Sequence, residues 1–291
     1  MFTEEPSQQQ ITSLPEEHAE PPAISAAASE VQPIQKPAWW VPWIDVAIAV
    51  GTWILSVILL LFVPVIVAIP YMVYKIVKSG MPSPEAMATD KWLIFWSVVG
   101  IIPTHILTLV LVWLVMKYAF RARPFWKSIG FEWPEKVSHR MTVLQSVVAA
   151  IGLYALAFGI TALYGDRKTD LDLLIESSMY TRVATAFVAV ATAPLIEELV
   201  YRGVLYKALE KAAGVAVAIS LVSLLFAGVH VYQYRNNLAV IAVITLLSIT
   251  LTVSRAVSGK VLPAFIIHFV FNGIQSVLIV LSGFIDKDIF K

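Results

Sequence analysis

Seven long runs of apolar residues follow one another along the chain, with short polar segments between them. The runs cover approximately 44–69, 92–117, 142–164, 183–206, 215–233, 238–255 and 262–283. A helix needs about 20 apolar residues to cross the hydrocarbon core of a bilayer, which is close to the length of these runs. Backbone polar groups find no partner in lipid, so segments of this kind must be helical. The pattern predicts an all-α fold, a polytopic membrane bundle of about seven transmembrane helices.

The composition supports a membrane protein and excludes several other classes. Apolar residues make up 58% of the chain and charged residues 14%, against roughly 45–50% and 25% in soluble domains. The mean hydropathy is +0.78, so there is too little polar surface to coat a soluble globule. A net charge of +1 argues against nucleic acid as a partner. The absence of cysteine excludes disulfides, thiolate metal sites and a cysteine nucleophile.

The first 38 residues differ in composition from the rest of the chain. They contain six prolines, a run of three glutamines, and six glutamates against one lysine, Lys36. Such a segment buries too little apolar area to offset the entropy cost of ordering, so 1–38 is predicted to be a disordered acidic tail. Trp39, Trp40 and Trp43 follow. Aromatic residues favour the headgroup region of a bilayer, so the chain is expected to enter the membrane here.

Basic residues predict the orientation in the membrane. The loop between the second and third runs is the richest basic stretch of the chain, with Lys117, Arg121, Arg123, Lys127, Lys136 and Arg140. Loops of this kind stay in the cytoplasm, so we expect a cytoplasmic N-terminus and an external C-terminus. The acidic start has no apolar core of a signal peptide. We expect a multi-pass protein of the cell membrane, and the lack of a recognisable organelle signal favours a bacterial or archaeal host over a eukaryotic one.

The fourth run carries charged residues, which are costly in a bilayer unless paired and which point by default to a functional site. Glu198 and Arg202 are four residues apart with the glutamate first, the favourable order for an ion pair on a helix. Glu197 points about 100° away from Glu198, where it is free to face a cavity. Pro194 leaves a helical carbonyl without its donor and predicts a kink nearby. The alternative is that both carboxylates only belong to a salt-bridge network between helices.

Two later runs contribute histidines and an amide. Phe226 and His230 lie in the fifth run, and His268 and Asn272 lie in the seventh; each pair is four residues apart and shares one helix face. A single histidine is more often a hydrogen-bonded core residue than a functional one. Polar clusters on three runs of the same half of the chain, however, favour a shared site. His105 stands alone in the second run and is interpreted as a core residue.

Glutamate, histidine and an amide are typical of hydrolytic sites. A buried glutamate can act as a general base toward water, and the N–H groups of Asn272 and a histidine can stabilise an oxyanion. Two histidines and a carboxylate can also bind Zn²⁺ with one position open for water, and the candidate ligands are Glu197, His230 and His268. The soluble zinc-protease motif, in which two histidines at i and i+4 flank a glutamate, is absent from the sequence. The residues leave a metal-free mechanism and a zinc mechanism both open.

The polar motifs resemble those of a known family. In chain order they are Glu197-Glu198-x-x-x-Arg202, Phe226-x-x-x-His230 and His268-x-x-x-Asn272. Their order and spacing resemble the motif set of the CPBP intramembrane proteases, which include the CAAX prenyl endopeptidases and bacterial bacteriocin-processing or self-immunity proteins. The resemblance covers roughly 142–283. It implies a CPBP-like catalytic membrane domain in 142–291, preceded by N-terminal transmembrane helices and the basic loop in 39–141.

The resemblance also implies roles for the residues of the motifs. Glu197 is the water-activating base, and Glu198 assists it while paired with Arg202. The other residues of the implied catalytic site are His230, His268 and Asn272, with Phe226 in a structural role. The implied activity is that of an intramembrane endopeptidase acting on membrane-associated proteins or peptides, either as a zinc enzyme or through the glutamate alone.

Two other functions compete with this one. A secondary transporter would use the glutamates and histidines as a proton relay, but seven spans do not divide into two equal halves and no paired broken helices are visible in the sequence. A non-catalytic binding or immunity protein of the same fold would have little reason to keep costly buried charges. Proton-coupled uptake would support the transporter. Retained biological activity after Glu197→Gln would support the binding protein.

Overall fold

The computed structural model describes residues 41–134, 142–165 and 167–285. Within these ranges the chain forms helices and no strand. Seven helices are long and apolar enough to cross a membrane: α1 (Val41–Ser79), α2 (Lys91–Ala119), α3 (Val143–Tyr164), α4 (Met179–Ala213), α5 (Val215–Tyr234), α6 (Leu238–Ser258) and α7 (Leu262–Ile285). The prediction of an all-α polytopic bundle is confirmed. The predicted tail 1–38 lies outside the described residues, as do Trp39, Trp40, Lys136 and Arg140.

Helices α1 and α2 pack closely against each other. α1 is a continuous helix of 39 residues, longer than the run that predicted it, and it contains Pro64 and Pro70. A Cβ atom on Gly100 of α2 would lie only 2.5 Å from the Cα of Pro64. Because interiors are close-packed, any larger side chain at this position would separate the two helices. Glycine at position 100 therefore sets the spacing of α1 and α2.

Asp90 fixes the start of α2 and connects it to α1. Its Oδ1 accepts hydrogen bonds from the backbone N–H groups of Trp92 (3.0 Å) and Leu93 (2.9 Å), which lack helical partners at a helix N-terminus. Its Oδ2 pairs with Lys75 and accepts a hydrogen bond from Tyr71 of α1 at 3.3 Å. One carboxylate thereby caps α2 and holds it against the end of α1.

Helix α4 contains two wider, π-helical turns, at Val188–Thr192 and Leu199–Leu205. In the first of them, the N–H of Ala193 donates to the carbonyl of Val188, five residues back rather than four. Pro194, which follows directly, has no N–H to donate. A π-helical turn, a feature frequent at functional sites, thus precedes this proline. The kink that Pro194 predicts stays a prediction.

Helix α4 also forms the centre of the larger apolar core. Leu199, Leu205 and Tyr206 of α4 are fully buried, and they belong to one core cluster with Val222 and Phe226 of α5. A second cluster joins α3, α6 and α7 through side chains such as Ala150, Leu251, Ala264 and Ile267. The first cluster joins α4 to α5, the second joins α7 to α3 and α6, and Ile244 and Ala256 of α6 also pack against the first. Helices α4, α5 and α7 carry the predicted site residues.

Arg182 anchors the start of α4 to the end of α7. Arg182 is 2% exposed, and its Nη1 donates to the Ile279 carbonyl (3.0 Å) and to Ser282 Oγ (2.9 Å) of α7. Its Nε donates to the Ile175 carbonyl at 3.3 Å, in the short helix that precedes α4. These bonds join the short helix Asp170–Glu176 to α4 and α7.

Candidate active site

Glu198 and Arg202 form an ion pair that is completely removed from solvent. Arg202 Nη1 lies 3.0 Å from Glu198 Oε1, and both side chains are 0% exposed. The rest of the guanidinium is held by α6: Nη2 donates to the Ser248 carbonyl at 3.0 Å and to Thr252 Oγ1 at 3.2 Å. Burying a charge is costly unless it is paired and hydrogen-bonded, and Arg202 meets both conditions. The contact that the i,i+4 spacing indicated is present.

His268 lies between the two glutamates. Its Nδ1 donates to Glu198 Oε1 at 2.9 Å, and its Nε2 lies 3.6 Å from Glu197 Oε2. The second distance is within ion-pair range but too long for a hydrogen bond, so the oxygens of Glu197 remain free for another partner. The His268 side chain is 3% exposed, and its ring packs edge-on against Phe226 with 5.9 Å between centroids. The buried Glu198–Arg202 pair thereby fixes the orientation of His268.

Glu197 faces open space, in contrast to Glu198. Its side chain is 25% exposed. It lines a cavity of about 270 Å³ with walls from six of the seven long helices, and a neighbouring cavity of about 240 Å³ among α1, α2, α4 and α5. The prediction that Glu197 points into a cavity agrees with this position. Glu198 Oε2, by comparison, is buried and has no hydrogen-bond partner among the described residues.

His230 lines both cavities and is held by its own helix. Its Nδ1 donates to the backbone carbonyl of Phe226 at 2.8 Å. The ring packs between Phe226 and Tyr234, with centroid distances of 4.9 and 6.4 Å. Because Nδ1 is occupied, Nε2 is the nitrogen of His230 that remains for the cavity.

Asn272 of α7 is held by the irregular backbone of α4. Its Nδ2 donates to the carbonyl of Ala189 at 3.0 Å. The N–H of Ala193 donates to Val188 and Pro194 has none, so the Ala189 carbonyl lacks its usual helical donor. The amide of Asn272 supplies the missing bond and keeps a second N–H free. Asn272 lines the larger cavity together with Glu197, His230 and His268.

His105 also belongs to this region, although its isolated position in the sequence indicated a core residue. It is 8% exposed, its Nδ1 lies 2.7 Å from Thr192 Oγ1, and it lines both cavities beside Glu197. Gln233 of α5 lines both cavities as well and was not singled out from the sequence. One feature of the sequence could have indicated that His105 belongs to the site: a titratable ring in the middle of an apolar run is a candidate functional residue by default.

The candidate zinc ligands do not converge on one point. Within the described ranges, no group of three or more His, Cys, Asp or Glu residues is arranged to hold a metal ion. His268 directs its two nitrogens toward Glu198 and Glu197, and His230 has Nδ1 bound to a backbone carbonyl. The set Glu197, His230 and His268 therefore does not fit a preformed three-ligand site.

The segment that contains the site is similar to a known protease family. Residues 178–274 match a family model described as type II CAAX prenyl endopeptidase Rce1-like. The matched segment extends from the start of α4 into α7 and includes every catalytic and structural residue that the motifs predicted. No curated protein and no solved structure matched the chain. The match confirms the predicted resemblance to the CPBP family, and it supports a CAAX-type intramembrane protease in general terms.

Proposed function

We propose that the protein is an intramembrane endopeptidase that hydrolyses peptide bonds of membrane-associated proteins or peptides. One observation carries the proposal: Glu197 and Glu198 are joined through His268, yet only Glu197 faces a cavity. This is an arrangement of one reactive carboxylate and one that supports it. The family match of 178–274 adds independent support for this class of activity.

Glu197 is proposed to act as the general base. Its oxygens are not engaged in a hydrogen bond with His268 at 3.6 Å, so they are available to a water molecule in the cavity. Glu198 serves a different purpose: Arg202 neutralises its charge, and Glu198 in turn holds His268 in place at 2.9 Å. A base must lie within hydrogen-bond reach of the proton that it removes, and Glu197 is the carboxylate with that access.

The proposed reaction proceeds by direct attack of water on the peptide carbonyl. Glu197 removes one proton from the water while the water oxygen bonds to the carbonyl carbon, and His230 Nε2 accepts a hydrogen bond from the second hydrogen. The resulting oxyanion accepts a hydrogen bond from the free N–H of Asn272. The C–N bond then breaks, and the protonated Glu197 returns its proton to the leaving amine.

The proposed substrate class follows from the cavity and the family. The walls of the larger cavity include apolar side chains such as Leu60, Ile101, Leu247 and Phe271, which favour apolar residues next to the scissile bond. The family description names CAAX prenyl endopeptidases, and a CAAX motif is a prenylated cysteine followed by two aliphatic residues and a variable last residue. The bilayer is the expected environment, with the N-terminus in the cytoplasm.

Cleavage of a reporter peptide tests this function. The full chain in lipid nanodiscs should cleave an internally quenched peptide that ends in a prenylated Cys-aliphatic-aliphatic-X sequence, and Glu210→Gln, a change on α4 away from the site, should leave the rate unchanged. Membrane proteomics of cells carrying wild type or Glu197→Ala should show uncleaved substrates only in the variant. Proton-coupled uptake without proteolysis, or full biological activity of Glu197→Gln, would contradict the proposal.

A further inference from the structure

The two cavities beside Glu197 share part of their walls. The described residues that line both are Leu60, His105, Glu197, His230 and Gln233. This set, called here the junction, lies where a chain extending from one cavity into the other must pass. Glu197 and His230 act in the proposed reaction. His105 is a titratable residue of the junction to which that reaction gives no part.

His105 is held so that one ring nitrogen remains for the junction. Its Nδ1 lies 2.7 Å from Thr192 Oγ1, the last residue of the π-helical turn Val188–Thr192. The contact connects α2 to the irregular part of α4 just before Pro194. Since Thr192 occupies Nδ1, Nε2 is the nitrogen left for a group inside the cavities.

A peptide at the junction needs partners of this kind. Each backbone N–H and C=O of a bound peptide loses water on entering the bundle, and one left without a hydrogen-bond partner weakens binding. Most of the wall around the second cavity is apolar, including Val57, Leu61, Val200 and Val229. At the junction itself, the imidazole of His105 and the amide of Gln233 are polar groups beside the reacting Glu197 and His230.

We propose that His105 is a substrate-binding residue, whose Nε2 hydrogen-bonds the peptide backbone next to the scissile bond. The inference rests on the proposed endopeptidase function and adds a contact from the N-terminal half of the chain. His105 lies outside the segment 178–274 that matches the family model. The N-terminal helices would then complete the substrate site as well as enclose it.

A matched pair of amide substitutions separates a substrate contact from a structural contact. In His105→Asn the side-chain nitrogen takes the place of Nδ1 and keeps the bond to Thr192. In His105→Gln it takes the place of Nε2 and reaches the junction instead. If Nε2 binds substrate, kcat/KM for the reporter peptide should fall about 10- to 100-fold in His105→Asn. The loss should appear mainly in KM because the contact forms with the bound substrate. His105→Gln should be at least about tenfold more active than His105→Asn.

The opposite order would overturn the proposal. An active His105→Asn with an inactive His105→Gln would mean that His105 acts through Thr192 alone. Equal activity of the two variants would show that neither nitrogen of His105 makes a specific contact that cleavage needs. Both variants are compared with Glu197→Gln in the same assay. If Glu197→Gln cleaves normally, the proposed function fails, and this outcome is distinct from any result at position 105.

Cysteine labelling provides a readout that does not depend on cleavage. The chain contains no cysteine, so a single introduced thiol reports on one position. His105→Cys in an inactive Glu197→Gln background should react with N-ethylmaleimide at least about tenfold faster than Ser146→Cys, because access to buried positions requires opening of the fold. Ser146 is 0% exposed and lines neither cavity. Equal labelling rates at the two positions would contradict the placement of His105 at the junction.

Discussion

Glu197 and Glu198 are neighbours in the sequence but occupy opposite environments. Glu198 is 0% exposed and is paired with Arg202 at 3.0 Å, whereas Glu197 is 25% exposed and lines two cavities. The difference follows from helix geometry, because consecutive side chains point about 100° apart. One glutamate therefore organises the interior while its neighbour is available for chemistry.

Removing Arg202 should destabilise the fold. Arg202→Ala leaves Glu198 buried without its cation, which costs roughly 3–5 kcal/mol. We expect a clear drop in the unfolding temperature in detergent. Lys211→Ala is a suitable control on the same helix, since it breaks the exposed Lys211–Asp45 pair, which is expected to contribute less than about 1 kcal/mol.

A double substitution gives a further check on Arg202. Glu198→Gln combined with Arg202→Met removes both charges, so its loss of stability should be smaller than the sum of the two single losses. Strictly additive losses, or an Arg202→Ala protein as stable as wild type, would show that the pair does not hold the bundle together.

Asn272 should affect the reaction rate more than the stability. Asn272→Leu removes the N–H proposed to bind the oxyanion, and such losses lower kcat by about 10²–10³-fold. It also leaves the Ala189 carbonyl without a donor, which costs about 1–3 kcal/mol. The measurements are kcat for the reporter peptide and thermal unfolding, with Asn236→Leu in an exposed turn as the control. A kcat within a few-fold of wild type would exclude Asn272 from oxyanion binding.

The sequence was informative where the physics is local. Lipid permits only helices, so the apolar runs located the seven long helices, and the i,i+4 spacing indicated the Glu198–Arg202 contact. Contacts between helices depend on how each helix is rotated, which no single run specifies. His268 reaches Glu198 across 70 positions and His105 reaches Thr192 across 87. His105 has Ile101 and Leu109 at i−4 and i+4, so no motif like those on the later runs marks it, and its place at the junction emerges only from the fold.

Chelation should leave cleavage intact. Both nitrogens of His268 are directed at glutamates, and the described part of the chain brings no three ligands to one point. We expect 1,10-phenanthroline and EDTA to change the cleavage rate less than twofold, an outcome consistent with metal-free general base catalysis. Loss of activity on chelation followed by recovery on addition of Zn²⁺ would instead require the site to rearrange around a metal.

The stability of the α1–α2 connection should depend on pH. Burial opposes the charged form of Asp90, but hydrogen bonds from Lys75 and from the Leu93 N–H outweigh it, so the pKa of Asp90 lies below its usual value. A carboxyl with a lowered pKa stabilises the fold above its unfolded pKa, about 3.9. This contribution is lost as the pH falls through the folded value.

Thermal unfolding of Asp90→Asn tests this pH dependence. The variant should unfold at a lower temperature than wild type at pH 7, and the difference should be smaller at a pH below about 3.9, the unfolded pKa of the carboxyl. Asp170→Asn, at an exposed and long ion pair with Arg235 of 3.8 Å, should show little change at either pH. A difference for Asp90→Asn that is the same at both pH values would mean that its charge does not contribute.

The most direct test of the central claim is the cleavage rate of Glu197→Gln in nanodiscs, measured with the prenylated reporter peptide. Glutamine has nearly the same shape as glutamate but cannot take a proton from water. The rate should fall by about 10²–10⁴-fold, the usual contribution of a general base, while the unfolding temperature stays within the range of Glu210→Gln. A rate within about tenfold of wild type would show that Glu197 is not the base.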